Sequence, residues 1–362
     1  MTKRFACSVV ALAAGLTLVA CSPSAEKSAP ASESKPAAAA SPAATASAPL
    51  LKIVRLDPAF DKLIATKEEV PTDGTVTKLS GGHKWTEGPV WNAKDKYLLF
   101  SDIPNNAIYQ WQEGKEPSIF IQPSGYTGKD AFTGKEPGTN GLTYDAEGRL
   151  VACAHGDRVV VRLEDGGKKR TVLADKYNGK RFNSPNDLTF KSNGDLYFTD
   201  PIYGLPKGAE DPARELDFCG VYRLGKDGKV TLLTKEITRP NGIAFSPDEK
   251  KLYVASSDPD KAIWMAYDVK PDGTLANGKV FFDGTAWAKA GKPGLPDGLK
   301  VDKAGNLFAT GPGGVHVFSP EGKHLGTFDT GVPTANVAFG DDGATLYITA
   351  NTNVLRVKLA GK

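Results

Sequence analysis

The sequence predicts an all-β fold, a six-bladed β-propeller whose last blade is closed by an N-terminal strand. Three observations lead there. One pattern recurs six times: EGPVWNAKDKYLLFSD from Glu87, NGLTYDAEGRLVACA from Asn140, NDLTFKSNGDLYFTD from Asn186, NGIAFSPDEKKLYVAS from Asn241, DGLKVDKAGNLFAT from Asp297 and ANVAFGDDGATLYIT from Ala335. Each is a short alternating strand, a turn rich in Asp, Gly, Asn or Lys, and a second apolar strand. Third strands follow in all six units (AIYQW, VVVRL, GVYRL, IWMAYDV, GVHVF, VLRVKL), but fourth strands in only five, because the chain ends after the last third strand. The missing strand has a match at the other end of the domain, in Thr75-Val76-Thr77-Lys78-Leu79. Such closure leaves only short, protected edges. A β-sandwich would not explain six homologous hairpins.

The turns carry hairpin chemistry. Glu147-Gly148, Asn193-Gly194 and Asp342-Gly343 place Gly or Asn where positive φ is needed. No amphipathic helical segment of useful length competes with the strands.

The first fifty residues read differently. Residues 1–20 form a signal peptide: Lys3 and Arg4 precede an apolar run from Phe5 to Ala20, too short for a typical spanning helix. The run ends Leu18-Val19-Ala20-Cys21, the pattern of a bacterial lipoprotein with Cys21 as the lipidated residue; an ordinary secretory signal with a chance cysteine is the plainer alternative. Acyl chains on Cys21 would be the only membrane contact. Ser22 follows, with no aspartate, which favours the outer membrane and a periplasm-facing domain. Residues 21–50 are Ala/Ser/Pro-rich and too polar and simple to build a core, so they read as a tether; the propeller is expected over 51–362. The exported setting permits a disulfide between Cys153 and Cys219, with two buried free thiols as the other reading.

The 362 residues carry 45 basic and 42 acidic side chains, a net +3. That balance argues neither for nor against nucleic acid; no nucleic-acid partner is expected, and the chain is expected to be a monomer. A Gly-x-Ser-x-Gly elbow, a phosphate loop and a dinucleotide fingerprint are all missing from the sequence, which disfavours a serine nucleophile and nucleotide chemistry.

The chemistry is expected at the head of each repeat. In a propeller the first strand of each blade lines the central channel, so the lead residues Glu87, Asn140, Asn186, Asn241, Asp297 and Ala335 share one mouth. Five of these six carry a carboxylate or amide oxygen. Glycines behind several of them (Gly88, Gly141, Gly242, Gly298) allow close backbone approach. A ring of oxygens with two carboxylates suits a hard divalent cation, calcium first, with magnesium or manganese as alternatives and zinc less well matched because no His or Cys cluster accompanies the ring. Without a cation, Glu87 and Asp297 would repel, and one would hold a proton. The simpler reading is that Asn and Asp cap strand ends at turns. Asp187 stands where the other repeats have glycine, and Arg181 precedes it in a loop toward the ring; either could contact substrate, or be an ordinary turn acid and a solvated charge. His155 reads as structural or pocket-lining rather than a general base.

Together, TEGPVW, TNGLTYDAEGRL, RFNSPNDLTF with DLYFTDPIYG, RPNGIAFSPDEKKLYVASSD, LPDGLKVD and ANVAFGDDGATLYIT resemble the gluconolactonase branch of the SMP-30/gluconolactonase/LRE-like family over roughly residues 70–362. The resemblance implies a six-bladed propeller with a divalent metal, commonly calcium, in the channel. It implies Glu87, Asn241 and Asp297 as metal ligands and Asn186 as a contact to metal or substrate. Mammalian members have an arginine two residues before that Asn; here Ser184 stands there, and Arg181 lies further back. The implied reaction is hydrolysis of a sugar lactone to an aldonic acid. Asp297 would be the general base and Asn186 a catalytic contact, with Asn140, Asn186, Asp187 and Arg181 about the substrate. Two other readings remain: the same propeller acting on another ester or an organophosphate, and a non-catalytic propeller binding an envelope ligand.

Overall fold

The computed structural model describes residues 49–360. The segment expected as a signal peptide, nearly all of the expected tether and the expected lipidation residue Cys21 lie outside the described residues. Among those described, the structure is six antiparallel blade sheets and one two-stranded hairpin, with a single short α-helix, Thr285–Lys289. No helix among them is long and apolar enough to cross a membrane.

Five blades run inside to outside in chain order. Blade 1 is Thr86–Asn92, Tyr97–Asp102, Ala107–Gln112 and Ser118–Ile121. Blade 2 is Thr139–Tyr144, Leu150–Ala154, Val159–Glu164 and Lys169–Ala174. Blade 3 is Leu188–Phe190, Leu196–Asp200, Gly220–Leu224 and Val230–Thr234. Blade 4 is Pro240–Phe245, Lys251–Asp258, Lys261–Val269 and Leu275–Asp283. Blade 5 is Leu299–Val301, Leu307–Gly311, Gly314–Phe318 and His324–Asp329.

Blade 6 closes the ring as the sequence predicts. Its first three strands are Thr334–Gly340, Thr345–Ala350 and Asn353–Lys358, and its outer strand is the N-terminal segment Val76–Ser80, with Val76 opposite Val357 and Lys78 opposite Leu355. Blades 6 and 1 share one apolar layer, in which Leu98, Phe100 and Trp111 pack with Ala338, Tyr347 and Val354. Across that seam the Trp91 and Tyr347 rings stack with centroids 5.2 Å apart. A chain that joins its ends this way must unpair a sheet and expose an aromatic cluster to open, so closure is cooperative with folding.

One element was not foreseen. Lys52–Arg55 adds a fifth strand outside blade 5, pairing Lys52 with Asp329 and Arg55 with Gly326. The sheet accepts it because Gly326 has no side chain there: a Cβ would lie 2.5 Å from the Phe60 ring, which is itself fully buried and 5.3 Å from Phe328.

Cys153 and Cys219 are both buried and both free, so the free-thiol reading holds and the disulfide does not. They belong to different blades: Cys153 is on the second strand of blade 2, and Cys219 directly precedes the third strand of blade 3. Burial, with Asp200 adding to it, pushes the Cys219 thiol up to about 12, and burial raises that of Cys153 as well, so neither is a nucleophile.

Candidate active site in the channel mouth

The innermost strands are irregular where the lead residues stand. Their pairing slips between Glu87 and Val90 in blade 1, Thr139 and Leu142 in blade 2, Pro240 and Ile243 in blade 4, and Thr334 and Asn336 in blade 6. A bulge re-aims a side chain out of the pleat. In blades 3 and 5 the ladder starts only at Leu188 and Leu299, leaving Asn186 and Asp297 just outside it. Hydroxyls at the ends of second strands then lock neighbouring blades together. Ser101 Oγ donates to Asn140 O at 2.8 Å, Thr199 Oγ1 to Asn241 O at 2.8 Å, and Thr310 Oγ1 to Ala335 O at 2.9 Å.

This brings Glu87, Asn140, Asn186, Asn241 and Asp297 to the floor of one cavity of about 370 Å³, walled by Trp85, Tyr203 and Leu295. The size and the mix of apolar wall and few polar groups suit a small molecule. Sequence reasoning placed these five together, and the structure agrees.

The sixth position is corrected. Ala335 is buried and brings no oxygen from its side chain; the residue that enters the ring is its neighbour Asn336, whose Nδ2 donates to Glu87 Oε2 at 3.2 Å and lies 3.4 Å from Asp187 Oδ2. Asn336 stands in the sequence column that glycine fills in four repeats, and so does Asp187. The two side chains need the room those glycines leave. A Cβ on Gly298 would lie 1.9 Å from Asn336 Cγ, and one on Gly141 would lie 2.7 Å from Asp187 Oδ1. Asp187 is corrected too. It does not line the cavity: its Oδ1 accepts from Leu188 N at 2.8 Å, and its Oδ2 faces the Asn336 amide within the ring.

Arg181 is likewise misplaced by sequence reasoning. It sits on an exposed two-stranded hairpin, Lys176–Tyr177 with Lys180–Arg181, does not line the channel cavity, and donates from Nη2 to Asp157 O at 3.0 Å. The segment 182–187 turns sharply between that hairpin and the ring, with Asn183 N and Ser184 N both donating to Asp200, at 2.9 and 2.7 Å.

Two of the ring amides, Asn241 and Asn186, are held through their nitrogens, which leaves their oxygens free. Asn241 Nδ2 donates to Ser257 Oγ at 2.8 Å, and that hydroxyl donates to Pro296 O at 2.6 Å. Asn186 Nδ2 lies 3.5 Å from His155 Nε2, and His155 Nδ1 is 2.9 Å from Glu136 Oε2. With Nδ1–H donated to the carboxylate, Nε2 is the acceptor, and Asn186 must present Nδ2 to it and Oδ1 to the channel. His155 is fully buried, and Glu136 lines the cavity. The sequence reading missed Glu136; its one signal was its place in the loop just before Asn140.

Three oxygens of the ring are then left buried without a hydrogen-bond partner among the described residues: Asn140 Oδ1, Asn186 Oδ1 and Asp297 Oδ1. Leaving such atoms unsatisfied is costly. The carboxylates are strained in the same sense. Burial pushes Glu87 up to about 7, with the Asp187 charge adding to it, although the Gly88 N–H at 2.7 Å favours the anion. Burial, then the Glu87 and Asp187 charges, push Asp297 well above the carboxylate range. Orphaned amide oxygens beside mutually repelling carboxylates are the donor set of a hard divalent cation. No three His, Cys, Asp or Glu side chains cluster as a metal cage among the described residues; the ring's oxygens come from two carboxylates and its amides.

Residues 85–352 match the SMP-30/Gluconolactonase/LRE-like region. The chain belongs to that family. It is 39% identical to a gluconolactonase of Zymomonas mobilis over 318 residues, covering 85% of this chain and 86% of the relative. It is 29% identical to a pentonolactonase of Haloferax volcanii, covering 73% of this chain and 80% of that one. Among solved structures, a gluconolactonase of Xanthomonas campestris superposes with a TM-score of 0.71 at 29% identity, covering 85% of this chain and 95% of that one.

Proposed function

We propose that this family member is a divalent-metal-dependent lactonase that opens a sugar lactone to its aldonic acid. The observation that carries the reading is the trio of unpartnered oxygens on Asn140, Asn186 and Asp297 beside Glu87, at the floor of a cavity of small-molecule size. The names of the relatives at 39% and 29% identity supply the substrate class.

Glu87, Asn186, Asn241 and Asp297 would hold the cation. Bound there, it supplies Lewis-acid polarisation of the ester carbonyl. Asp297 is partly open to the cavity, and its raised proton affinity suits it to take the proton from the attacking water. Asn140 and Asn186 orient ring hydroxyls. Trp85 and Tyr203 screen one face of the substrate from bulk water. A cyclic ester needs only a positioned base and charge stabilisation. The N-terminal segment supports an exported form, anchored through lipid on Cys21, with the domain monomeric and facing the periplasm.

The test is aldonolactone hydrolysis, corrected for the spontaneous rate, with calcium, after chelation, and in Asp297→Asn. Chelation and the substitution should each lower kcat/KM at least a hundredfold. Undiminished hydrolysis in both sinks the mechanism.

A further inference from the structure

A second cavity, of about 560 Å³, lies outside the channel beside the Arg181 hairpin. Three guanidinium groups line it: Arg158, Arg170 and Arg181. Only Arg170 meets a carboxylate there, its Nη2 lying 3.0 Å from Asp157 Oδ2. Arg158 is 5% exposed, yet it meets carbonyls alone. Its Nε donates to Phe182 O at 2.8 Å and Asn183 O at 3.1 Å, its Nη1 donates to Ala213 O at 2.8 Å, and its Nη2 has no partner among the described residues.

The nearby acids are committed elsewhere. Glu215 accepts from Arg181 N at 2.7 Å, Asp211 from Lys207 N and Ala213 N at 2.9 Å each, and Asp200 from Asn183 N and Ser184 N. Among the described residues, none forms an ion pair with Arg158 or Arg181. A buried guanidinium with no anion is expensive to keep, and carbonyls offset that only in part.

The backbone adds an independent observation. Arg158 adopts φ +62°, a left-handed conformation. The same place before the third strand is taken by Asn106 (φ +53°) in blade 1 and Gly313 (φ +103°) in blade 5, residues that tolerate it. Arginine gains nothing from that turn, so its side chain is what the position retains.

The cavity lining also has an apolar part, with Phe132, Leu205 and Pro206. We infer that this cavity is a binding site for a small monocarboxylate carried on an apolar body, its carboxylate bridging Arg158 and Arg181 and its body lying against Phe132 and Leu205. A planar carboxylate matches the guanidinium fork, and an apolar body uses a wall that a polyol would leave unsatisfied. The site is separate from the channel cavity and stands whether or not the channel hydrolyses lactones.

Calorimetric titration of the full chain with sodium benzoate tests it, with benzamide as the neutral isostere and acetate as a carboxylate lacking the apolar body. Benzoate should bind saturably, and the other two at least tenfold more weakly. Arg181→Ala, on the exposed hairpin, should weaken benzoate at least fivefold and leave lactone turnover unchanged. Arg158→Lys, checked for folding by circular dichroism, should do the same. Failure of benzoate to saturate, equal affinity for benzamide or acetate, or undiminished affinity in Arg181→Ala overturns the assignment.

Discussion

Glu87→Gln should stabilise the metal-free protein at neutral to alkaline pH and make it nearly indifferent to calcium. The Glu87 carboxyl titrates at about 7 in the folded chain against an ordinary 4.5, because it is buried beside Asp187. A carboxyl raised on folding contributes most stability below its unfolded pKa and loses it as pH rises through the folded one. The window is therefore pH 4.5 to 7. At about 1.36 kcal/mol per pH unit the metal-free wild type should forfeit about 3 kcal/mol by pH 8. Glutamine keeps the shape, and its Oε1 can still accept from Gly88 N and Asn336 Nδ2, the two groups that now meet Glu87 Oε2. The substitution removes the repulsion and adds no void. Urea unfolding at pH 5 and pH 8, with calcium and after chelation, separates the contributions. Metal-free Glu87→Gln should exceed metal-free wild type at pH 8 and converge with it near pH 5, while calcium should restore only the wild type. A metal-free variant less stable than wild type at pH 8 would refute the view that Glu87 is a charge awaiting a cation.

Two further perturbations reach parts of the domain the ring depends on. His155→Ala removes the acceptor that faces Asn186 Nδ2, so calcium affinity by calorimetry should fall at least tenfold while His155→Gln recovers part of it; wild-type affinity in His155→Ala would show that Asn186 needs no such support. Away from the site, burial pushes His316 down to about 3 and His324 down to about 4, in a layer where His316 stacks on Trp287 at 4.4 Å. A histidine depressed on folding lends stability above its unfolded pKa and loses it as pH falls. From pH 6.5 to 5, His316 alone should therefore cost about 2 kcal/mol, and His316→Gln should flatten that acid limb in urea titrations.

The propeller was legible because its evidence is repetition. Six hairpins with turn chemistry at the same offset carry more weight than any one strand, and the match between Thr75–Leu79 and the outer strands named the closing strand before its partners were known. The strand Lys52–Arg55 was not legible, because it belongs to no repeat; its place depends on Gly326 and Phe60 lying together, a contact made only in the fold. The same division runs through the site. Glu87, Asn140, Asn186, Asn241 and Asp297 occupy one column of the repeats, and a column becomes a ring when the sheet closes. The error at Ala335 came from reading only that column. The pairing slips at this place in blades 1, 2, 4 and 6, which breaks the strand's alternation and lets the next column turn toward the ring as well; glycine is the rule there because a Cβ would meet the neighbouring blade, 2.0 Å from Asn140 O at Gly88 and 2.2 Å from Asp297 O at Gly242.

Seen that way, Asp187 and Asn336 are a coupled exception to a glycine floor. Asn336 links two carboxylates, Glu87 and Asp187, that would otherwise face one another. Its amide can donate to both, whereas an acid or an alanine there would leave their repulsion unrelieved. These two neighbours therefore tune the ring: Asp187 raises the proton affinity of Glu87 and Asp297, and Asn336 partly offsets that at Glu87 alone. The two ring acids are thereby made unequal. Glu87, anchored by Gly88 and Asn336, is the fixed anion, and Asp297, with an unpartnered oxygen and an edge open to the cavity, is the acid free to exchange a proton with what the cavity holds.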